Sequence, residues 1–178
     1  MIPSGRKNKA VFFDRDGTLI KTFTNKRNNP IAIKTLNDFQ LLNNVKQIIN
    51  KLSKKYLIIV LTNQPDVARG KNSKKNVKKI NNKLQEKLII NKVYTSYSDN
   101  DKNFMRKPNP GMIYRAKKDF GINLFKSYVI GDREKDVIAG KKARCKTILL
   151  KKKYNDCKNT VSDHCVKNFK KILDVIKV

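Results

Sequence analysis

Cysteine, histidine, acidic side chains and long apolar runs are all scarce in this sequence of 178 residues. The three cysteines are an odd number without CxxC spacing, which argues against a disulfide framework or a four-cysteine zinc site and favours reduced thiols. The longest apolar run, Tyr56–Leu61, falls far short of the roughly 18 residues that a membrane helix needs. We therefore expect a soluble, cytoplasmic protein that does not bind membranes.

Positive charge is abundant instead, with 42 Lys and Arg against 14 Asp and Glu and a net charge of +28. Such an excess attracts nucleic acid and phosphorylated substrates. It can equally reflect genome composition, because lysine, asparagine and isoleucine, which AT-rich codons favour, dominate together. Charge alone therefore does not select a partner.

Short apolar, β-branched runs alternate with stretches of helical period, which indicates a parallel sheet covered on both faces. The sequence predicts an α/β, Rossmann-like fold with a mostly parallel central sheet, in a single domain of residues 1–178 that acts as a monomer. The predicted strands are Lys9–Phe13, Leu57–Leu61, Lys92–Thr95, Tyr128–Ile130 and Thr147–Leu150.

Helix signals lie between these strands. Ser73 is a candidate N-cap for one helix, and Asn109 is a candidate cap for another that has Pro110 in its first turn and ends at Gly121. A closing amphipathic helix is predicted from the spacing of five apolar residues, Val166, Phe169, Ile172, Leu173 and Ile176.

Ligands bind at the carboxyl ends of the strands in such sheets, so the residues after each strand are the candidates for chemistry. After the first strand, Asp14 and Asp16 in the segment DRDGT face the same side, and Gly17 allows a sharp turn. Joint ionisation of two adjacent carboxylates is disfavoured unless a cation lies between them, and magnesium prefers oxygen ligands. A polar turn that merely closes a strand is the alternative interpretation of this segment.

The other predicted strands lead to further polar groups. Thr62, Asn63 and Gln64 offer uncharged donors for a phosphoryl oxygen. Pro108 biases the backbone of Lys107 away from helical conformation, and the helix predicted to begin at Pro110 restrains the chain that follows. We therefore expect the ammonium group of Lys107 to have a defined direction. The segment GDREKD, residues 131–136, and the DRDGT segment together hold five of the 14 acidic residues, as expected if both strand ends share a cation.

The order of these motifs resembles the haloacid dehalogenase (HAD) superfamily of phosphohydrolases from Val11 to about Leu150. Within it, FFDRDGTLI, TNQPDVARGK, RKPNPGM and GDREKDVIAG look like the branch that contains heptose bisphosphate phosphatases and histidinol-phosphate phosphatase. The resemblance implies a HAD fold and magnesium-dependent hydrolysis of a small phosphorylated substrate, most plausibly a heptose bisphosphate.

The resemblance also implies roles for individual residues. Asp14 would attack phosphorus, and Asp16 would protonate the leaving oxygen and then activate water. Magnesium would be held by Asp14, the backbone carbonyl of Asp16 and Asp132. Thr62, Asn63 and Lys107 would bind the phosphoryl oxygens, and Gln64 is a further candidate for substrate binding. Arg106 and Arg133 stand at positions that recognise substrate in the heptose enzymes.

The sequence departs from the family in the loop before RKP. Zinc-bearing members have Cys-x-His and Cys-x-Cys there, whereas the corresponding residues of this chain, Ser96, Ser98, Asn103 and Met105, are not zinc ligands. We therefore expect no zinc. The intervals between motifs leave no room for a large cap domain, so we expect an open site bordered by the Thr22–Ile33 and Ser96–Met105 loops.

Three alternatives remain open: histidinol-phosphate phosphatase activity, a nucleic-acid 3′-end phosphatase, and a basic binding module on a catalytically silent fold. Nucleic-acid enzymes of this type share DxDGT, Thr-Asn-Gln and Arg-Lys-Pro, and a charge of +28 favours polyanions. Other chemistries are not supported, because the chain has no GxSxG motif, no GxxxxGK[ST] loop and only one histidine, His164.

Overall fold

The computed structural model describes residues 8–25, 30–154 and 161–177, and strands and helices alternate along these ranges. The strands are β1 (Ala10–Phe13), β2 (Phe23–Thr24), β3 (Pro30–Ile31), β4 (Leu57–Asn63), β5 (Lys92–Ser96), β6 (Tyr128–Gly131), β7 (Lys146–Leu150) and β8 (His164–Val166). The helices are α1 (Val45–Ser53), α2 (Lys74–Lys87), α3 (Gly111–Phe120), α4 (Glu134–Lys142) and α5 (Ile172–Val175). None of the helices in these ranges has the length and apolar character needed to cross a membrane.

Six strands form one parallel sheet in the order β5-β4-β1-β6-β7-β8. The central strand, β1, pairs with β4 on one side and with β6 on the other, so that Phe12 lies opposite both Ile59 and Val129. The carboxyl ends of β1, β4 and β6 therefore meet at one edge of the sheet, which brings together the polar segments that follow them.

Helices cover both faces of the sheet, as predicted. Alternate residues of β1 point to opposite sides: Val11 and Phe13 belong to one apolar core, and Ala10 and Phe12 to the other. The first core includes α1, α2 and the C-terminal segment, and the second includes α3 and α4. Apolar cores therefore pack against both faces of the sheet and fix the positions of the strand ends. Side chains at these ends can form a preorganised site.

Two helix predictions are confirmed at their ends. Ser73 caps α2 by accepting a hydrogen bond from the Asn76 N–H at 3.1 Å. Gly121 ends α3 in the left-handed conformation, with φ of 65°. All five predicted strands are present, with bounds that differ from the predicted ones by no more than two residues.

Other sequence predictions were wrong. Pro110 is itself the N-cap of α3, and the Asn109 side chain bonds to the carbonyls of Asp101 and Asn103. The predicted closing helix is divided, because Val166 lies on β8 and only Ile172–Val175 is α-helical.

The prediction of reduced thiols holds in one place and fails in another. Cys145 is free and buried, whereas Cys165 is disulfide-bonded. The prediction for Cys157 lies outside the described residues.

The segment between β1 and α1 contains an antiparallel hairpin of β2 and β3, in which Phe23 pairs with Ile31. This hairpin belongs to the predicted Thr22–Ile33 border of the site, although residues 26–29 lie outside the described ranges.

Candidate active site

The Lys107 side chain lies at the centre of the strand ends, and only 4% of it is exposed. Its ammonium contacts Asp14 Oδ1 at 2.5 Å, Asp136 Oδ1 at 2.7 Å and the Leu61 carbonyl at 2.6 Å. Burial acts to lower the pKa of Lys107, but Asp136 and Asp14 outweigh it and raise the pKa above its ordinary value. Lys107 is therefore a fixed cation beside the Asp14 carboxylate.

Asn63 holds the backbone of Lys107 in place. Its side-chain amide donates to the Lys107 carbonyl at 2.8 Å, and its carbonyl oxygen accepts from the Lys107 N–H at 3.1 Å. Sequence reasoning gave Asn63 a role in binding phosphoryl oxygens. In the structure, its side chain instead connects the end of β4 to the backbone of Lys107.

Asp132 directly follows β6, and Asp136 lies in the first turn of α4. Asp132 is fully buried, and it accepts hydrogen bonds from the hydroxyls of Thr18, at 3.2 Å, and Tyr154. Asp136 Oδ2 accepts a hydrogen bond from the Arg133 N–H at 3.1 Å, and this bond caps the start of α4. The other oxygen of Asp136, Oδ1, contacts Lys107. The chain thus brings two further carboxylates next to Asp14.

Asp14, Asp132 and Asp136 each offer an oxygen within 4.8 Å of the others. Burial raises the pKa of Asp14, against the opposing effect of Lys107 and with the support of Asp136. Burial, Asp14 and Asp136 raise the pKa of Asp132 to about 7. A divalent cation bound to oxygen ligands would relieve this repulsion. Each of the three carboxylates could supply an oxygen to such an ion, and Lys107 contacts only one oxygen of Asp14 and one of Asp136.

Gln64 borders the pocket in front of Asp14 and Asp16, and Thr62 is buried near the end of β4. Gln64 is 2% exposed, and its amide donates to Asp16 Oδ2 and to the Thr62 hydroxyl, both at 2.8 Å. Thr62 is 1% exposed. The structure therefore ties Gln64, predicted to bind substrate, to the carboxylate of Asp16.

A pocket of about 420 Å³ opens in front of Asp14 and Asp16. Among its lining residues are four acidic side chains and seven basic ones, namely Lys34, Arg69, Lys71, Arg106, Lys107, Arg133 and Lys135. Arg133 also donates to the Pro30 carbonyl at 2.6 Å and so connects α4 to the β2–β3 hairpin. The pocket suits an anion larger than a single phosphate.

Arg106 holds together the loop before α3. It is 6% exposed, and its guanidinium donates to Asp101 at 2.8 Å and to the Ser98 carbonyl at 2.9 Å. Asp101 also contacts Lys135 of α4 at 2.9 Å, and these partners lower the pKa of Asp101 to about 2, with the Arg106 hydrogen bond as the largest cause. We call this set of three, Asp101, Arg106 and Lys135, the loop clasp.

The positions that correspond to zinc ligands serve as hydrogen-bonding groups in this loop. The Ser96 carbonyl accepts from the Gln64 N–H at 2.7 Å, and the Ser98 hydroxyl accepts from the Asn100 N–H at 3.1 Å. The Asn103 side chain accepts from the Met105 N–H at 2.9 Å. Short-range turns and the loop clasp thus order residues 96–106.

Sequence reasoning missed several residues of the site. Asp136 was visible as the last residue of the GDREKD motif, but its bond to Lys107 was not. Arg15 lay inside the DRDGT motif and received no role, although it is fully buried against Asp16. Tyr154 stands far along the chain in a lysine-rich segment, and no pattern in the sequence marked it.

Comparisons with known proteins identify the family and several relatives of this chain. The family model described as "Polynucleotide kinase 3 phosphatase" matches residues 9–170. A D-glycero-beta-D-manno-heptose-1,7-bisphosphate 7-phosphatase of Helicobacter pylori is 32% identical, over 96% of this chain and 98% of the relative. A D-glycero-alpha-D-manno-heptose-1,7-bisphosphate 7-phosphatase of Burkholderia mallei is 30% identical, over 81% of this chain and 80% of the relative.

A solved structure has the same fold. The D,D-heptose 1,7-bisphosphate phosphatase of B. bronchiseptica, complexed with magnesium and phosphate, superposes with a TM-score of 0.79 at 19% identity. The match covers 94% of this chain and 97% of that one.

Proposed function

The chain belongs to the polynucleotide kinase 3 phosphatase family of HAD phosphatases, and from this premise we propose that it hydrolyses a phosphate monoester of a sugar bisphosphate through an aspartyl-phosphate on Asp14. The observation that carries the proposal is the contact of Asp14 with Lys107 at the base of a basic pocket. A carboxylate held beside a fixed cation can approach an anionic phosphoryl group without the full cost of charge repulsion.

The reaction divides into two displacements. An oxygen of Asp14 attacks phosphorus, the bond from phosphorus to the sugar oxygen breaks, and that oxygen takes a proton from Asp16. Water then gives a proton to Asp16 and attacks phosphorus, which releases inorganic phosphate and restores Asp14. The two aspartates lie at the carboxyl end of β1 and both line the pocket, so they can act on opposite sides of the same bond.

Asp14 and Asp132, with the backbone carbonyl of Asp16, would hold a magnesium ion, which supplies charge neutralisation to the transferring phosphoryl group. The solved relative with magnesium and phosphate supports this choice of ion. We further propose that the protein binds no zinc, because the ligand positions of the loop carry serine, asparagine and methionine.

A heptose bisphosphate is the substrate best supported. The two relatives described above are named for this sugar, one for each anomer, so the preferred anomer stays open. The pocket suits such a molecule because Asp14 lines it together with the seven basic side chains named above. These charges would bind the phosphate that is not hydrolysed.

The test is a substrate panel assayed with magnesium: heptose and hexose bisphosphates, histidinol phosphate and a 3′-phosphorylated oligonucleotide. We expect the heptose bisphosphate to have the highest kcat/KM. Asp14→Asn should lower kcat at least about 10³-fold on every substrate, because it removes the nucleophile. Asp174→Asn, an exposed aspartate of α5, is the matched control. Full turnover by Asp14→Asn would refute the mechanism, and binding without turnover by the wild type would favour a silent binding module.

The second candidate is a nucleic-acid 3′-end phosphatase, which the description of the matching family and the net charge of +28 favour. The two functions differ in their dependence on salt. Activity on the oligonucleotide should fall steeply as salt rises, since binding to a polyanion releases counterions, whereas activity on a sugar bisphosphate should change much less. A higher kcat/KM on the oligonucleotide at about 0.15 M salt would establish the second function instead.

A further inference from the structure

The carboxylate of Asp16, the proton carrier of the proposed reaction, is held unequally at its two oxygens. Oδ2 accepts from Arg15 Nε at 3.1 Å, from Arg15 Nη2 at 2.9 Å and from Gln64 Nε2 at 2.8 Å. Within the described part of the chain, Oδ1 accepts one longer contact, from Arg15 Nη2 at 3.2 Å. Asp16 lines the pocket with 11% of its side chain exposed. Oδ1 is thus the less firmly held oxygen of a carboxylate that borders the pocket.

Arg15 is anchored from the side opposite to Asp16. Its side chain is fully buried, and its Nη1 donates to Asn81 Oδ1 of α2 at 2.7 Å. The Asn81 amide in turn donates to the Thr95 hydroxyl of β5 at 3.1 Å. A buried guanidinium needs partners for its donors, so Asn81 determines where Arg15 can lie.

We propose that Asn81 is a positioning residue for the acid: it fixes Arg15, which with Gln64 anchors Oδ2 of Asp16 and leaves Oδ1 to exchange the proton. This inference rests on the proposed phosphatase function. Asn81 is not among the described residues that line the pocket, and Lys107 bonds to Asp14 rather than to Asn81. Asn81 would therefore act only through Arg15. Its loss should therefore affect protonation of the leaving group more than binding of the phosphate.

Leaving groups of different basicity separate these effects. A sugar alkoxide needs a proton as it departs, whereas p-nitrophenolate leaves without one, so only the first substrate depends on a well-placed acid. Asn81→Leu removes the acceptor for Arg15 at similar side-chain size. We expect it to lower kcat/KM about 10- to 100-fold on the sugar bisphosphate and less than about threefold on p-nitrophenyl phosphate.

Two variants complete the experiment. Asn81→Asp keeps an oxygen for Arg15 and should retain kcat/KM within about threefold on both substrates. Asn82→Leu makes the same chemical change at the next position of α2, where the side chain is exposed, and should leave both rates unchanged. If circular dichroism shows that Asn81→Leu does not fold, Asn81→Ser, which is too short to reach Arg15, takes its place against Asn81→Asp.

The outcomes are distinct. A loss by Asn81→Leu that is confined to the sugar bisphosphate and is rescued in Asn81→Asp supports the inference. An equal loss on both substrates, or no loss on either, overturns it while the wild-type activity still supports the proposed function. Failure of the wild type to hydrolyse either substrate would instead overturn the proposed function itself.

Discussion

Gly17 lies where the chain turns sharply behind the Asp132 carboxylate, and its φ of +88° belongs to the left-handed region that glycine favours. A Cβ atom added there would overlap the Asp132 carboxylate and come within 2.6 Å of the Tyr154 hydroxyl. Gly70 has a similar φ of +69°, but a Cβ atom at that position would meet nothing within 4 Å. A substitution at Gly70 would therefore cause backbone strain alone, whereas a substitution at Gly17 would cause backbone strain and a steric clash.

We predict that Gly17→Ala disrupts the site and Gly70→Ala does not. Both should lose about 1 kcal/mol of unfolding free energy from the positive φ. Only Gly17→Ala must also displace Asp132, and we expect its turnover to fall at least about 10²-fold. Urea unfolding and kcat with magnesium measure the two effects. Comparable activity of the two variants would contradict this view of the Gly17 turn.

At the scale of single residues, the sequence predicted which side chains meet but not how they bond. Asp14, Asn63, Lys107 and Asp132 were found because each follows or faces the end of a strand, and parallel strands end at one edge. The bond of Asn63 to the Lys107 backbone depends on the Asn63 rotamer and on a tertiary contact between segments that are 44 residues apart. Local sequence does not carry that information.

The loop of residues 97–105 contains no cysteine or histidine that could bind zinc. Its order depends on the loop clasp, whose central carboxylate, Asp101, is exposed to solvent. Ion pairs in that position are screened by salt, whereas a zinc site is not. The loop of this protein should therefore respond to ionic strength.

We predict that Asp101→Asn opens this loop. Amide hydrogen exchange of residues 97–105 should be faster than in the wild type at about 0.05 M salt, and about 0.5 M salt should accelerate exchange in the wild type alone. Asp99→Asn is the matched control, because Asp99 contacts only Arg69 among the described residues, at 3.6 Å. Equal exchange in the two variants would show that the loop clasp does not order the loop.

Asp163 joins three elements at the far edge of the sheet. It accepts hydrogen bonds from the N–H and hydroxyl of Thr147, at 2.7 and 2.8 Å, and pairs with Lys141 of α4. Burial acts to raise the pKa of Asp163, but Lys141 and Thr147 outweigh it and lower the pKa from 3.8 to about 2. As the pH falls, Asp163 is therefore protonated at a higher pH in the unfolded chain than in the folded protein.

It follows that the stability contributed by Asp163 is present above about pH 4 and is lost as the pH falls towards 2. We predict that Asp163→Asn lowers the unfolding free energy by about 1 kcal/mol at pH 6, after allowance for solvent screening, and that the difference shrinks to near zero at pH 2. Urea unfolding at several pH values measures it. A difference that persists at pH 2 would mean that packing, and not charge, makes the contribution.

A secondary-structure element whose sequence shows little hydrophobic periodicity was not predicted. The edge strand β8 has three residues, of which His164 and Cys165 are exposed, so no apolar run marks it. Val166 continued the spacing of the apolar residues in α5, which suggested one long helix. Pairing with β7, a contact between distant parts of the chain, decides the conformation of this segment instead.

For the molecule as a whole, the core strands were predictable because buried parallel strands are apolar on both faces and read as continuous runs. The net charge of +28 can also be read from the sequence, but it says nothing about the fold. Its consequence is that the positive side chains repel one another and destabilise the folded state. Salt should therefore stabilise the folded protein even while it weakens the loop clasp.

We predict that the melting temperature rises when salt increases from about 0.05 to 0.5 M, because a shorter Debye length screens the repulsion. A variant with Lys75, Lys78 and Lys79, all exposed on α2, changed to glutamate lowers the net charge by six and should show a smaller rise. A melting temperature that falls with salt would show that attractive ion pairs dominate the charge balance.

Lys107 is, in effect, a resident counterion. Its ammonium contacts three oxygens of three different segments, much as a bound metal would, yet it is attached covalently and does not dissociate. With the proposed magnesium bound, the site would combine one permanent positive charge with one exchangeable charge. We expect the pocket to keep its shape when magnesium leaves, so the ion can be exchanged without refolding of the strand ends.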